Sequence, residues 1–461
     1  MRILKIMLSF LIVVFLVFPQ TLLAQEEWTP LFDGETLNGW TQKGGDAPYT
    51  VEDGAIVGET IPNNDNSFLT TDKTYGDFIL EFEVWVNPHI NSGVQIRSLS
   101  KESYRDGRVH GYQVELDPSD RAWTGGIYDE ARRGWLYPIT QSEKSQSAFR
   151  NGQWNKVRVE AIGSTINTWV NGVQCARLVD DMTAEGFIAL QVHFPWQDQM
   201  VGGKVKWRDI RILTENLEAH RTTPDPQVPE ISYLKNELTE LEKRRGWRLL
   251  WDGKTSDGWR GAKLDHFPES GWEIEDGVLT VQETDGGEAT GPGDIVTRNQ
   301  FSDFELELEF KITEGANSGI KYFVDPGLNQ GPGSAIGTEF QILDDENHPD
   351  ANQGVAGNRQ VGSLYDLIAA ENLSAPSRSK PFNGVGRWNK ARIVSKDGHV
   401  EHWLNNQKVV EYDRFSQMFA ALVAYSKYEK WEGFGRWPQG HLLLQDHGNE
   451  VSFRSIKVRE L

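Results

Sequence analysis

The chain is almost without cysteine. Of 461 residues only Cys175 is one. No intramolecular disulfide and no cysteine-based metal cluster can form, and a lipid anchor on a cysteine at a leader cleavage site is excluded. Positive charge is also scarce: 47 Lys and Arg against 67 Asp and Glu leave a formal net charge of -20. A chain this acidic does not bind nucleic acid or an anionic membrane non-specifically, although a locally basic pocket is compatible with it. Long apolar runs are missing too. The one candidate, Ile6 to Phe18, is too short to span a bilayer comfortably. It follows Arg2 and Lys5, is broken by Pro19 and precedes Leu22-Leu-Ala24. That order reads as a secretory leader over residues 1–24, cleaved after Ala24, with a short membrane anchor as the alternative. The expected destination is periplasmic or secreted, with no stable membrane insertion after cleavage.

What the chain does have is aromatic residues and a duplication. Its 17 Trp and 11% aromatic content support sizeable cores and leave rings for sugar-like ligands. Leu31-Phe-Asp-Gly-Glu-Thr-Leu-Asn-Gly-Trp40 returns as Leu250-Trp-Asp-Gly-Lys-Thr-Ser-Asp-Gly-Trp259. In the same order follow Asn91-Ser-Gly93 and Asn317-Ser-Gly319, then Gln153-Trp-Asn-Lys156 and Arg387-Trp-Asn-Lys390. Leu190-Gln-Val-His193 and Leu444-Gln-Asp-His447 come last. A period above 200 residues is far longer than a solenoid repeat and fits two complete copies of one domain.

Each copy reads as β. Phe78-Ile-Leu-Glu-Phe-Glu-Val-Trp-Val86 and Phe304-Glu-Leu-Glu-Leu-Glu-Phe-Lys-Ile312 alternate apolar and polar residues, the pattern of half-buried strands. About a dozen short strands per copy with glycine-rich punctuation predict a two-sheet sandwich or jelly roll. The expected domains are residues 26–215 and 247–461. Residues 216–246 form a linker in which Ile231, Leu234, Leu238 and Leu241 fall at the spacing of a short helix. Extra length in the second copy is expected in loops at 325–336, 345–362 and 425–440.

Taken together, these ordered motifs resemble the 3-keto-disaccharide hydrolase domain family, in two tandem copies covering nearly all of residues 28–214 and 247–461. The resemblance implies a concanavalin-like jelly roll, export, and work on glycosides; relatives in this family cleave 3-keto-glycosides.

In the first copy, Gln113, Glu115 and Asp117 alternate along one strand and share a face. Three polar residues there belong either to a ligand-lining surface or to open solvent, since an apolar core would require each to be paired. Aromatic and basic residues crowd nearby: Tyr128, Arg132 and Trp135 follow in one run, and Arg97 is a candidate clamp for a carboxylate, sulfate or sugar oxygen. In the second copy Glu339 stands where Gln113 does, and Gln341 where Glu115 does. Phe323 replaces Arg97, with Lys321 two residues earlier, and Tyr365 follows later. His193 and His447, with their neighbours Gln191 and Gln445, close equivalent strands. Asp344, Asp345, His348 and Asp350 have the composition of a divalent-metal site, but their spacing matches no established motif, and loop capping is the alternative. No other cofactor is called for.

These residue types suit elimination from a 3-keto sugar. The ketone acidifies the C2 proton, a carboxylate or neutral histidine removes it, and donors stabilise the enolate while the C1 aglycone leaves with help from an acid. Glu115 or Asp117 is the expected base in the first copy and Glu339 in the second. Asp344, His193 and His447 are further candidates for acid–base work, and the expected partner is an oligosaccharide or glycoside. Three rivals use the same residues: an ordinary two-carboxylate glycosidase, a lyase or dehydratase acting on acidic oligosaccharides from algal or plant polysaccharides, and a non-catalytic glycan-binding protein.

Overall fold

A computed structural model describes residues 28–284 and 293–461; the expected leader lies outside them. Each half is a β-sandwich. In the first, one sheet runs, in spatial order, through strands 173–179, 165–170, 155–162, 78–86, 204–213, 55–59 and 49–52. The facing sheet runs through 134–137, 127–130, 110–116, 92–99, 187–192, 67–71 and 40–44. The second half repeats the plan. Strands 272–275, 278–281, 451–460, 304–312, 389–396, 399–404 and 407–413 face a sheet of 259–261, 295–297, 441–444, 317–325 and 336–343.

The alternation seen in the sequence decides which side chains build each core. Val94, Ile96, Tyr112, Val114, Leu116, Ile188, Leu190 and Val192 point between the two sheets of the first domain. Their neighbours Gln95, Gln113, Glu115 and Gln191 are thereby directed to the outer face of the second sheet.

The motifs that repeat most closely turn out to close turns. Asp33 accepts from the Glu35 and Thr36 amides and the Thr36 hydroxyl, at 2.7 to 2.8 Å. Asp252 does the same for Lys254 and Thr255 at 2.8 Å. The Trp40 and Trp259 indoles then donate to the carbonyls of Leu31 and Leu250, each at 2.8 Å. Asn155 and Asn389, from the repeated Trp-Asn-Lys, clamp the loops before their strands.

The linker departs from the expected helix. Ile231 and Ser232 form a short strand that pairs in parallel with Leu178 and Val179 at the edge of the first sandwich, so Ile231 is fixed by sheet pairing. Of the segment 231–245 expected to be helical, Glu240–Arg244 is, started by a capping box between Thr239 and Glu242, and a further single turn spans Leu217–His220. The expected insertion at 325–336 is absent, because the loop between strands 317–325 and 336–343 is as long as the one between strands 92–99 and 110–116; the extra length lies after residue 343. Part of it falls in the connection from strand 336–343 to strand 389–396, as expected, and an unforeseen helix, Gln417–Ala424, begins after Ser416. Among the described residues no helix is long and apolar enough to cross a membrane.

The two sandwiches are hydrogen-bonded to each other. The Asn406 amide donates to the Leu136 carbonyl at 3.1 Å and to the Tyr233 hydroxyl at 2.9 Å. The Thr140 hydroxyl donates to the Asn406 carbonyl at 3.1 Å, and the Lys390 ammonium to the Ser232 carbonyl at 2.6 Å.

Candidate active site

The outer face of strand 110–116 forms the floor of a cleft of about 720 Å³. Gln113, Glu115, Asp117, Tyr128, Trp135 and His193 all line it, although they are spread over 80 residues of chain. Cross-strand register brings them together: Glu115 lies opposite Gly93, and Gly93 opposite Gln191 on the next strand. Glycine is needed at this crossing, because a Cβ on Gly93 would sit 2.4 Å from Cδ of Gln113, which lies across it.

Glu115 is the centre of the network. The Asn91 amide donates to Oε1 at 2.7 Å and the Gln113 amide to Oε2 at 3.0 Å. Arg121 reaches Oε1 at 3.1 Å and holds Asp117 Oδ2 at 2.7 Å. Gln95 in turn donates to Gln113 at 2.6 Å, which orients the Gln113 amide toward Glu115. Burial pushes the Glu115 carboxyl up to about 7; Arg121 opposes the shift and Asp117 adds to it. Arg121 itself is sandwiched over the Trp123 and Trp135 rings, each 4.8 Å from its guanidinium. Burial holds the His193 imidazole below its ordinary value. Its Nδ1 lies 2.8 Å from the Phe194 carbonyl. With Phe194 and the half-exposed Trp196 it forms an aromatic rim.

Several cleft residues carry no strong signal in the sequence. Glu130 is buried, and its carboxyl is raised by burial against the opposing pull of Arg108. Asn91 sits inside the repeated Asn-Ser-Gly, so the repeat itself marks it. Ala375, Pro376 and Ser377 close one side of the cleft from the second domain, which no local pattern foretells.

Other expectations are corrected. Arg97 is not a substrate clamp: it is buried, donating to the Gly76 and Gly163 carbonyls at 2.8 and 2.7 Å and pairing with Asp77 at 2.9 Å. Its φ of +46° at the bulge between strands 92–99 and 110–116 turns the side chain away from the cleft. Arg132 is outside the cleft and held by Asp129 and Thr183, both at 2.7 Å. Gln191 is on the correct face but fully buried, and neither polar side-chain atom finds a hydrogen-bond partner among the described residues.

In the second domain the same crossing is built from exchanged groups. Gly319 lies opposite Gln341, and Lys321 opposite Glu339. A Cβ on Gly319 would meet Glu339 Oε1 at 2.1 Å. The Gln341 amide lies 3.2 Å from the Asn317 side chain and 3.3 Å from Glu339. Lys321 stands 3.7 Å from Glu339, with both side chains buried. Tyr365 borders Glu339 through backbone pairing, and its hydroxyl donates to Asp350 at 2.6 Å. Gln445 donates its backbone N–H to the Gly319 carbonyl, and the His447 and His348 rings lie 6.0 Å apart.

Asp344 is not placed for acid–base work. Its carboxylate is spent on the backbone of Gly315, Glu346 and Asn347, which holds it below the usual range. The metal reading of this loop fails for the same reason: Asp345 accepts from Val361 and Lys380, and Asp350 from Arg359 and Tyr365. Among the described residues, the one group of potential ligands within 4.8 Å of one another is His399, Glu401 and Glu411. It lies on an outer strand pair, where Lys408 already neutralises Glu401 and Glu411.

The sequence profile of the 3-keto-alpha-glucoside-1,2-lyase-like domain matches residues 27–213 and again 246–459. The chain belongs to this family. It is 37% identical over 240 residues to the 3-keto-disaccharide hydrolase of Bacteroides thetaiotaomicron, a match covering 47% of this chain and 79% of that family member. Two crystal structures from Parabacteroides distasonis, assigned to the glycosyl hydrolases, are also similar. One is 32% identical with a TM-score of 0.43, covering 49% of this chain and 99% of its own. The other is 26% identical with a TM-score of 0.36, covering 47% and 99%.

Proposed function

We propose that this family member is an exported enzyme that cleaves 3-keto-glycosides, with Glu115 as the base that removes the C2 proton. The observation that carries the reading is the environment of Glu115. A buried carboxylate pushed up to about 7 is matched to proton transfer near neutral pH. The leader-like residues 1–24 support export, and the name of the Bacteroides relative supports the substrate class.

The proposed step is an elimination. The C2–H electron pair becomes the C1–C2 double bond, the proton passes to Glu115, and the C1–O bond breaks with its pair on the aglycone oxygen. Arg121, Asn91 and Gln113 donate to the Glu115 carboxylate and fix its orientation for the transfer. Glu130, whose carboxyl is raised by burial against the pull of Arg108, lines the same cleft and is the candidate acid for the departing oxygen. Water adds to the enone afterwards if the overall outcome is hydrolysis. The ordinary glycosidase reading is less well supported, because Asp117 is bound to Arg121 and to the Ser119 amide.

The test offers the full chain a 3-keto-disaccharide, its C2-deuterated form and the intact disaccharide. A C2 isotope effect with no cleavage of the intact sugar is expected. Equal cleavage of the intact sugar without an isotope effect would overturn the proposal.

A further inference from the structure

A second groove, of about 490 Å³, continues from the Glu115 cleft along the boundary between the domains. The two share Arg108, Tyr128, Glu130 and Trp135, so a ligand can run from one into the other. One wall is the 105–108 turn and the 127–137 hairpin. The other is the second domain's loop around Asn383 and Arg387, and Asn383 Oδ1 would lie 3.6 Å from a Cβ on Gly134.

The charge of this groove is opposite to that of the chain. Five arginines line it in a protein of net charge -20. Arg132 and Arg133 are balanced by Asp129 and Asp180, and Arg108 stands 3.6 Å from Glu130. Arg105 and Arg387 are exposed and face no carboxylate among the described residues, one from each domain. In an acidic protein, unpaired guanidinium groups held on opposite sides of a groove favour a bound anion, and their fork geometry suits a carboxylate or sulfate ester.

We infer that this groove is an anion subsite, taking a carboxylate or sulfate on the sugar unit next to the one at Glu115. The inference rests on the reading of the Glu115 cleft as a saccharide site. It also gives the second domain a part in the first domain's specificity, since Arg387, Asn383 and the 375–377 wall all come from it.

The test measures binding to the full chain by calorimetry. Three disaccharides of one linkage are compared: neutral, uronate-bearing and sulfated. At least one anionic sugar should bind about tenfold tighter than the neutral one, a difference that salt erodes. Arg387→Glu and Arg105→Glu, both on exposed side chains, should abolish that preference and leave the neutral sugar unchanged. The arm that loses its preference names the anion. Equal binding of all three sugars, or an Arg387→Glu variant that weakens neutral and anionic sugars alike, would overturn the subsite. Selective anion binding without turnover of any 3-keto form would instead leave the subsite standing and sink the role given to Glu115.

Discussion

Glu115 accepts a 3.0 Å hydrogen bond from Gln113, and at the same two strand positions of the second domain Gln341 and Glu339 carry the amide and the carboxylate in exchanged order. The pairing of one carboxylate with one amide over a glycine is thus kept, while the acid moves two residues along the strand. At the position shared by Gln113 and Glu339, the residue across the strand changes from Gln95 to Lys321. Glu115 is raised by burial, whereas Glu339 has a buried cation 3.7 Å away.

The position of the Glu115 titration makes activity rise with pH. If the base must be ionised, kcat/KM should climb about tenfold per pH unit below about 7 and level off above it. Stability should run the other way. A carboxyl raised in the folded state contributes fully below its ordinary value of 4.5, and that contribution is lost as pH passes about 7. The full shift corresponds to about 3 kcal/mol. Denaturant melts of parent and Glu115→Gln should therefore diverge in favour of the variant between pH 5 and pH 8, and parallel curves would contradict the raised value.

The two carboxylates should not be equivalent in turnover. Glu115→Gln is expected to lower kcat by about 10²–10⁴-fold with the fold intact. Glu339→Gln should cost much less, because Glu339 is held in a buried ion pair with Lys321. Steady-state rates of both variants on one 3-keto-disaccharide decide the matter, and equal losses would place chemistry in both domains.

Trp196 is half exposed on the cleft rim and makes its ring contact with His193 at 5.1 Å. Trp196→Ala should raise KM by about tenfold through loss of a sugar-stacking surface, with kcat and the melting temperature little changed. An unchanged KM would remove the rim from the binding site.

Arg97→Ala should behave as a structural lesion. Removing the buried guanidinium strands the Gly76 and Gly163 carbonyls, at a cost of about 3 kcal/mol. Thermal melts should show the loss while KM stays at the parent value. A raised KM at full stability would restore the clamp that the sequence suggested.

Much of this molecule is legible from local patterns. The duplication, the strands and the Gln113–Glu115–Asp117 face all follow from a period of two and from motifs that repeat in order. The same patterns misled at Arg97 and Asp344. An arginine after Asn-Ser-Gly reads as a site residue, yet a bulge rotates it away from the cleft. Acidic residues spaced through a loop fit either metal ligands or loop caps, and here each carboxylate finds a capping partner nearby.

By itself, then, the sequence determined which residues share a face, because alternation along a strand is set by covalent geometry. It could not determine whether that face is covered. Only the tertiary structure brought Trp135, His193 and the 375–377 loop to the cleft around Glu115 from distant parts of the chain. That cover excludes water from the carboxylate and raises it to about 7. Desolvation depends on everything packed around a group, and no stretch of local sequence contains that information.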